Sequence, residues 1–179
     1  MRWQEIHRQV APRLGGNPAL ADERPFILVD CARQRLHWID IDEDNCRNYP
    51  VSTAEKGIGN RVDSYQTPAG IHRIRNKIGG GQPCGMVFEA REPTGKVARN
   101  LDNRERDEIT SRILWLDGME PGVNRGGDCD TYSRYIYIHG TSDERRIGEA
   151  VSAGCIRMKN DDVIELFDEV LVNDLVLIT

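Results

Sequence analysis

Apolar residues in this chain arrive in short bursts separated by turn-forming residues, and that punctuation decides what it can fold into. Residues 25–30 (PFILVD), 34–40 (QRLHWID), 48–52 (NYPVS), 71–75 (IHRIR), 109–116 (ITSRILWL), 135–139 (YIYIH) and 175–178 (LVLI) each have the length of a strand. An unbroken apolar run between polar turns fits a strand buried on both faces, and alternation fits one buried on a single face. Helical periodicity occurs in two places. Trp3, Ile6, Val10 and Leu14 form one stripe, stopped by Gly15 and Gly16. Val163, Leu166, Phe167, Val170 and Leu171 form the other, with Asn160 as the expected N-cap and Asp161 and Asp162 in the first turn. Residues 79–95, rich in Gly and Pro, read as a long loop carrying a short strand at 86–89. The expectation is a mainly β domain at 25–179, two packed sheets or a barrel with few helices. A helical leader at 1–24 is expected to pack on it.

Composition narrows the partners. The 24 basic and 29 acidic residues give a net charge of −5, without the basic excess of a broad nucleic-acid footprint. No apolar run has the length of a membrane helix. The N-terminal MRWQEIHRQVAPRL lacks an apolar signal core, so a cytoplasmic chain is expected. A processed export form would read the same way and would belong in the periplasm. Five cysteines, an odd number, cannot all pair, and neither Cys-x-x-Cys nor a Cys/His zinc spacing occurs. That usage fits a reducing compartment. Cys129 between Asp128 and Asp130 is a weak metal motif, and the glycines at 79–81 lack the Gly-Lys-Ser/Thr ending of a phosphate loop. Neither metal nor cofactor is expected.

Among four histidines, His7, His37 and His72 have no chemical partner nearby in the sequence. In 135–139, Tyr135, Tyr137 and His139 share one strand face and Ile136 and Ile138 the other. If the isoleucines face the core, His139 emerges opposite them, at the strand's end. Downstream, Cys155 follows Gly154, which lets the backbone turn sharply and lets a substrate approach. A lone cysteine is more often a small buried hydrophobe. A thiol becomes a nucleophile when a base or a cation stabilises its thiolate, and His139 is the candidate base. Arg145 and Arg146 read as solvated surface.

These residues lie in a pattern. HGT at 139–141, then Ser152-x-Gly154-Cys155-Ile156-Arg157-Met158, resembles the signature of L,D-transpeptidases with a YkuD-type catalytic domain. Upstream, FILVDCARQRLHWID and YPVSTAEKGIGNRVDSYQTPAGIHRI are similar to the opening strands of that domain. GMVFEAREPTG through RILWLDGMEPGVNRG is similar to its middle region in a proteobacterial subgroup. The resemblance covers residues 25–179. It implies a Cys155 nucleophile and a His139 general base, with the imidazole oriented by the Gly140 carbonyl. Ser152 and Gly154 would shape the turn and the oxyanion site. Ala153, where many members carry His, and Tyr137 would border the substrate. Arg157 would either hold a substrate carboxylate or form a structural ion pair. The implied substrate is a peptidoglycan tetrapeptide or muropeptide, and carbapenems are the implied covalent inhibitors.

The resemblance leaves the outcome of catalysis open. A cytosolic chain is expected to hydrolyse the terminal D-alanine of free tetrapeptides, as an L,D-carboxypeptidase in muropeptide recycling. An exported one would form 3–3 cross-links. A silent wall-binding domain would need neither His139 nor Cys155. An unrelated cysteine peptidase would cut bonds between L-residues.

Overall fold

A computed structural model describes residues 25–40, 45–98 and 107–179. The expected leader at 1–24 lies outside them. The strands are β1 (Phe26–Asp30), β2 (Arg35–Asp40), β3 (Asn45–Ser52), β4 (Gly70–Ile78), β5 (Met86–Glu89), β6 (Glu92–Val97), β7 (Ile109–Gly118), β8 (Tyr137–Thr141), β9 (Ile156–Met158) and β10 (Leu175–Ile178). One α-helix, α1 (Asn160–Glu169), lies between β9 and β10.

The strands form one sheet in the order β4-β10-β1-β2-β3-β9-β8-β7-β5-β6, and β4 also pairs with β7. That extra pairing closes eight strands into a ring, which leaves those strands without a free edge. The hairpin β5–β6 hangs from the start of β7, where Val87 and Phe88 pair with Thr110 and Ile109. The strand expected at 86–89 is present as β5, and the remainder of 79–95 is not all loop, because β6 pairs with it. β6 is an exposed edge strand, a position that tolerates Pro93. The hairpin turns at Ala90 and Arg91, both at positive φ (47° and 71°).

Most pairs are antiparallel, but β1 with β10 and β8 with β9 run parallel. Ile27 and Val29 of β1 point into the main core with Val176 and Ile178, and Phe26 and Leu28 join a second cluster with Leu175 and Leu177. Burial on both faces explains the unbroken apolar run. Ile136, Ile138, Ile156 and Met158 face the same main core, so the opposite face of β8 and β9 is left for other work.

The helix inserts Val163, Leu166, Phe167 and Val170 into that core. Leu171, expected in the same stripe, is 61% exposed because the helix stops at Glu169 and Asp174 accepts the Leu171 N–H at 2.7 Å. Asn160 is not the N-cap either. It lies inside the first turn, and its backbone N–H is met by the Glu144 carboxylate at 2.7 Å. An anion there complements the positive end of the helix. The freed Asn160 amide accepts from Thr110 Oγ1 (2.6 Å) and Ser111 Oγ (2.5 Å) and donates to the Thr141 carbonyl (2.9 Å). One buried side chain thus ties α1 to β7 and β8.

Candidate active site

The parallel register sets Ile138 beside Ile156 and His139 beside Arg157. Side chains alternate along a strand, so Tyr137, His139, Cys155 and Arg157 stand together on the face away from the core. β8 begins at Tyr137, two residues later than the sequence pattern predicts, because Tyr135 adopts φ 56° and cannot continue the strand.

His139 is 3% exposed, and its Nδ1 lies 2.6 Å from the Gly140 carbonyl oxygen. A carbonyl only accepts, so Nδ1 carries the proton and Nε2 of the neutral ring keeps its lone pair. Burial lowers the pKa of the imidazole. The hydrogen bond to Gly140 and the Asp107 charge oppose that shift, and the Arg157 charge adds to it. Gly140 has no room for a side chain: a Cβ there would lie 2.6 Å from the Thr110 carbonyl oxygen and 2.8 Å from Asn160 Oδ1.

The turn before β9 is tied at several points. Ser152 Oγ donates to the Cys155 carbonyl (2.6 Å) and accepts the Gly154 N–H (3.2 Å). Thr67 Oγ1 donates to the Gly154 carbonyl (2.9 Å), and Thr67 is itself fully buried. Gly154 sits at φ 133°, with Ile136 Cδ1 3.2 Å from where a Cβ would be. The Cys155 thiol points along the sheet face. It accepts the Tyr137 N–H at 3.4 Å and donates to the Tyr135 carbonyl at 3.5 Å. Burial pushes the thiol up to about 11, against the lowering effect of the Tyr137 N–H and the Arg157 and Arg134 charges. Among the described residues, no hydrogen bond joins the thiol to His139. The two are diagonal neighbours on one face, each neutral at rest.

Arg157 donates to Asp107 at 2.5 Å, and Asp107 also accepts from Thr141 Oγ1 at 2.8 Å. The ion pair foreseen as one of two roles for Arg157 is thus present. Arg157 also borders a cavity of about 300 Å³ with Lys56, Tyr65, Ser152 and Ala153. A second cavity of about 300 Å³ shares Tyr65 and Ala153 and runs on to Arg134, Tyr135 and Ile136. Ala153 is exposed between them. Tyr137 is buried (5%), its ring edge-on to Trp115 (5.5 Å), and its hydroxyl receives an Arg91 N–H at 3.4 Å. Its backbone N–H meets the thiol, and Cys155 packs against the apolar cluster that includes Tyr137.

Several residues here were not singled out by sequence. Thr67 lies in the Thr-Pro-x-Gly element, a usable signal. Asp107, Glu144 and the Tyr135 carbonyl have none, because their roles depend on partners distant in the chain. Elsewhere, Asp130 beside Cys129 accepts the Gly126 and Ser133 N–H groups, a turn-stabilising role. Among the described residues no cluster of His, Cys, Asp and Glu could hold a metal ion. No helix among them is long and apolar enough to cross a membrane.

Among the described residues the arrangement has parts suited to acyl transfer: a thiol, a neutral imidazole with no hydrogen bond at Nε2, a backbone N–H at the sulfur and two cavities bordering the turn before Cys155. Comparison with known proteins points the same way. The L,D-transpeptidase catalytic domain family, YkuD, matches residues 24–178. The chain is 51% identical over 152 residues to the probable L,D-transpeptidase ErfK/SrfK of Escherichia coli, covering 83% of this chain and 42% of that protein. It is 25% identical over 149 residues to the probable L,D-transpeptidase YcfS of Escherichia coli, covering 82% of this chain and 41% of that one. It therefore spans about two fifths of the length of these curated relatives. The fold also matches the LD transpeptidase LdtMt1, solved in complex with imipenem, with a TM-score of 0.51 at 16% identity, over 87% of this chain and 58% of that one.

Proposed function

The chain belongs to the L,D-transpeptidase catalytic domain family, and on that premise we propose that it is a cysteine-dependent enzyme of peptidoglycan tetrapeptide stems. The reading is supported most by the parallel pairing of β8 and β9, which sets Cys155 and His139 on one face with His139 Nδ1 already committed to Gly140. Nε2 is then the only ring atom able to take a proton.

In the proposed mechanism, the thiol leaves the Tyr135 carbonyl and passes its proton to His139 Nε2. The Tyr137 N–H and the Arg157 and Arg134 charges stabilise the thiolate. The sulfur attacks the carbonyl carbon of the third stem residue. The C–N bond to D-alanine breaks, and the proton on His139 goes to the departing amine. A thioester on Cys155 remains. Water, or an amine from a second stem, then attacks that carbonyl, giving its proton to His139 as sulfur leaves. Thiol acyl transfer of this kind needs no metal or cofactor. Arg157, facing the cavity beside Ser152, is the candidate contact for a stem carboxylate.

For the fate of the thioester we favour hydrolysis, an L,D-carboxypeptidase action on free muropeptides. Five free cysteines suit a reducing compartment, where such fragments rather than the assembled wall would be met. LdtMt1 has been solved in complex with imipenem, and by analogy a carbapenem should acylate Cys155 here.

The test is mass spectrometry of the protein with a disaccharide-tetrapeptide. Tripeptide and free D-alanine without dimers support the hydrolytic reading. Cross-linked dimers would replace it with transpeptidation. A carbapenem adduct on wild type that persists in Cys155→Ala would overturn the assignment of the nucleophile.

A further inference from the structure

Two tyrosines near the Ser152–Cys155 turn adopt conformations that bulky side chains avoid. Tyr65 sits at φ 57° and Tyr135 at φ 56°, and both rings are largely exposed, 56% and 53%. An aromatic residue in the left-handed region is an outlier that persists only where its surroundings impose it. Neither ring is held there by burial. Both border the same cavity of about 300 Å³, whose floor includes Ile136 and Ala153. Tyr135 also accepts the Cys155 thiol at its carbonyl, 3.5 Å away.

The loops that carry the rings are fastened to one another. Arg134, next to Tyr135, donates to Ser64 Oγ (3.3 Å) and to the Gln66 carbonyl (2.7 Å), the residues on either side of Tyr65. A third bond reaches the Gly59 carbonyl at 3.2 Å. One guanidinium therefore ties together the two loops that carry the rings. Each ring has a cation over it: Lys56 Nζ lies 4.8 Å from the Tyr65 centroid, and the Arg91 guanidinium 5.0 Å from that of Tyr135. The rings form two walls of a cavity that reaches Ala153, two residues before Cys155.

We propose that Tyr65 and Tyr135 form a clamp that holds the acyl-donor peptide over Cys155, gripping the residue whose carbonyl is attacked. The inference rests on the proposed function for the identity of the peptide. The tie between the loops explains why strain is retained: rings placed in advance need no ordering when the peptide arrives. The flanking cations suit a ligand that carries carboxylates.

The test separates binding from chemistry. Binding of a disaccharide-tetrapeptide is measured by calorimetry on Cys155→Ala, then with Tyr65→Gly or Tyr135→Gly added. Glycine accepts positive φ, so these variants should melt no lower than their parent. Each is expected to weaken binding by about tenfold, and phenylalanine at the same position to recover most of that loss. Glycine variants that bind within about twofold of the parent, or a parent that does not bind the peptide at all, overturn the clamp. Binding that depends on the rings in a protein whose wild type turns over no tetrapeptide leaves the clamp standing and rejects the chemical reading instead.

Discussion

His72 on β4 and His139 on β8 are built alike and differ at one ring nitrogen. Both sit on strands paired on both sides, and both are nearly or wholly buried (0% and 3% exposed). Each places Nδ1 against a glycine carbonyl, His72 at 3.0 Å from Gly70 and His139 at 2.6 Å from Gly140. Burial lowers both pKa values, that of His72 to about 4. The difference is at the far nitrogen. His72 Nε2 is satisfied by Thr131 Oγ1 at 3.1 Å. Among the described residues, no hydrogen bond reaches His139 Nε2. A fixed tautomer is thus common to a structural histidine and to the proposed base, and what separates the two among the described residues is whether the second nitrogen has a hydrogen-bond partner.

The sharpest break of this comparison is to exchange the consequences. His139→Asn should lower the rate of Cys155 acylation by at least about 10³-fold while the protein stays folded, since the proposed base is lost. His72→Ala should leave the acylation rate of the folded fraction near wild type. It should instead cost about 3–5 kcal/mol of stability, by opening a cavity and stranding the Thr131 hydroxyl and Gly70 carbonyl. Stopped-flow acylation with a carbapenem and urea denaturation of each variant measure the two quantities. Loss of acylation in well-folded His72→Ala would remove the distinction.

Acid should act on both residues. An unfolded histidine titrates near 6.5, while folded His72 titrates at about 4, so in between the unfolded state binds more protons. Stability is therefore full above pH 6.5 and falls as the pH drops toward 4. His72 alone accounts for up to about 3 kcal/mol of that loss. His139, also lowered, adds to it in the same direction. Denaturation midpoints at neutral pH and near pH 4.5 should show a steep decline in wild type. A shallower decline is expected in His72→Gln, and equal slopes would mean that His72 is not the group responsible.

The sequence made one side of this comparison legible and concealed the other. His139 and Cys155 stand in a pattern specific enough to name a chemistry, and the isoleucines of 135–139 indicate which face they take. His72 shows only an apolar neighbour, and its partner Thr131 is remote in the chain. The same limit applies to the fold. Strands with buried faces, such as β1, β5 and β10, have a local pattern. β6 does not, because its side chains are mostly exposed and it holds Pro93 and Gly95. β9 has three residues, too few to show a period. Closure of the sheet by β4 on β7 leaves no local trace, since each strand's pattern records its own burial and not its neighbour. Asn160 looks like a cap because the Glu144 carboxylate that does the capping arrives from the preceding loop.

The smallest expected effect is at Asp107, and it bears on which role of Arg157 prevails. Asp107 pairs with Arg157 at 2.5 Å, and its charge disfavours the Cys155 thiolate while favouring the protonated form of His139. Asp107→Asn removes that charge and leaves the Arg157 guanidinium uncompensated beside the thiol. The pH profile of Cys155 alkylation should then move to lower pH. The shift should stay below about one unit, because the Asp107 carboxylate is partly solvated and screened. If Arg157 also receives a stem carboxylate, removing its internal competitor should lower KM for the tetrapeptide several-fold, about 1 kcal/mol. We expect both changes. A shifted alkylation profile with KM unmoved would assign Arg157 to the ion pair alone. A profile that does not move would show that Asp107 is electrically remote from the thiol, and that His139 is the group that sets its reactivity.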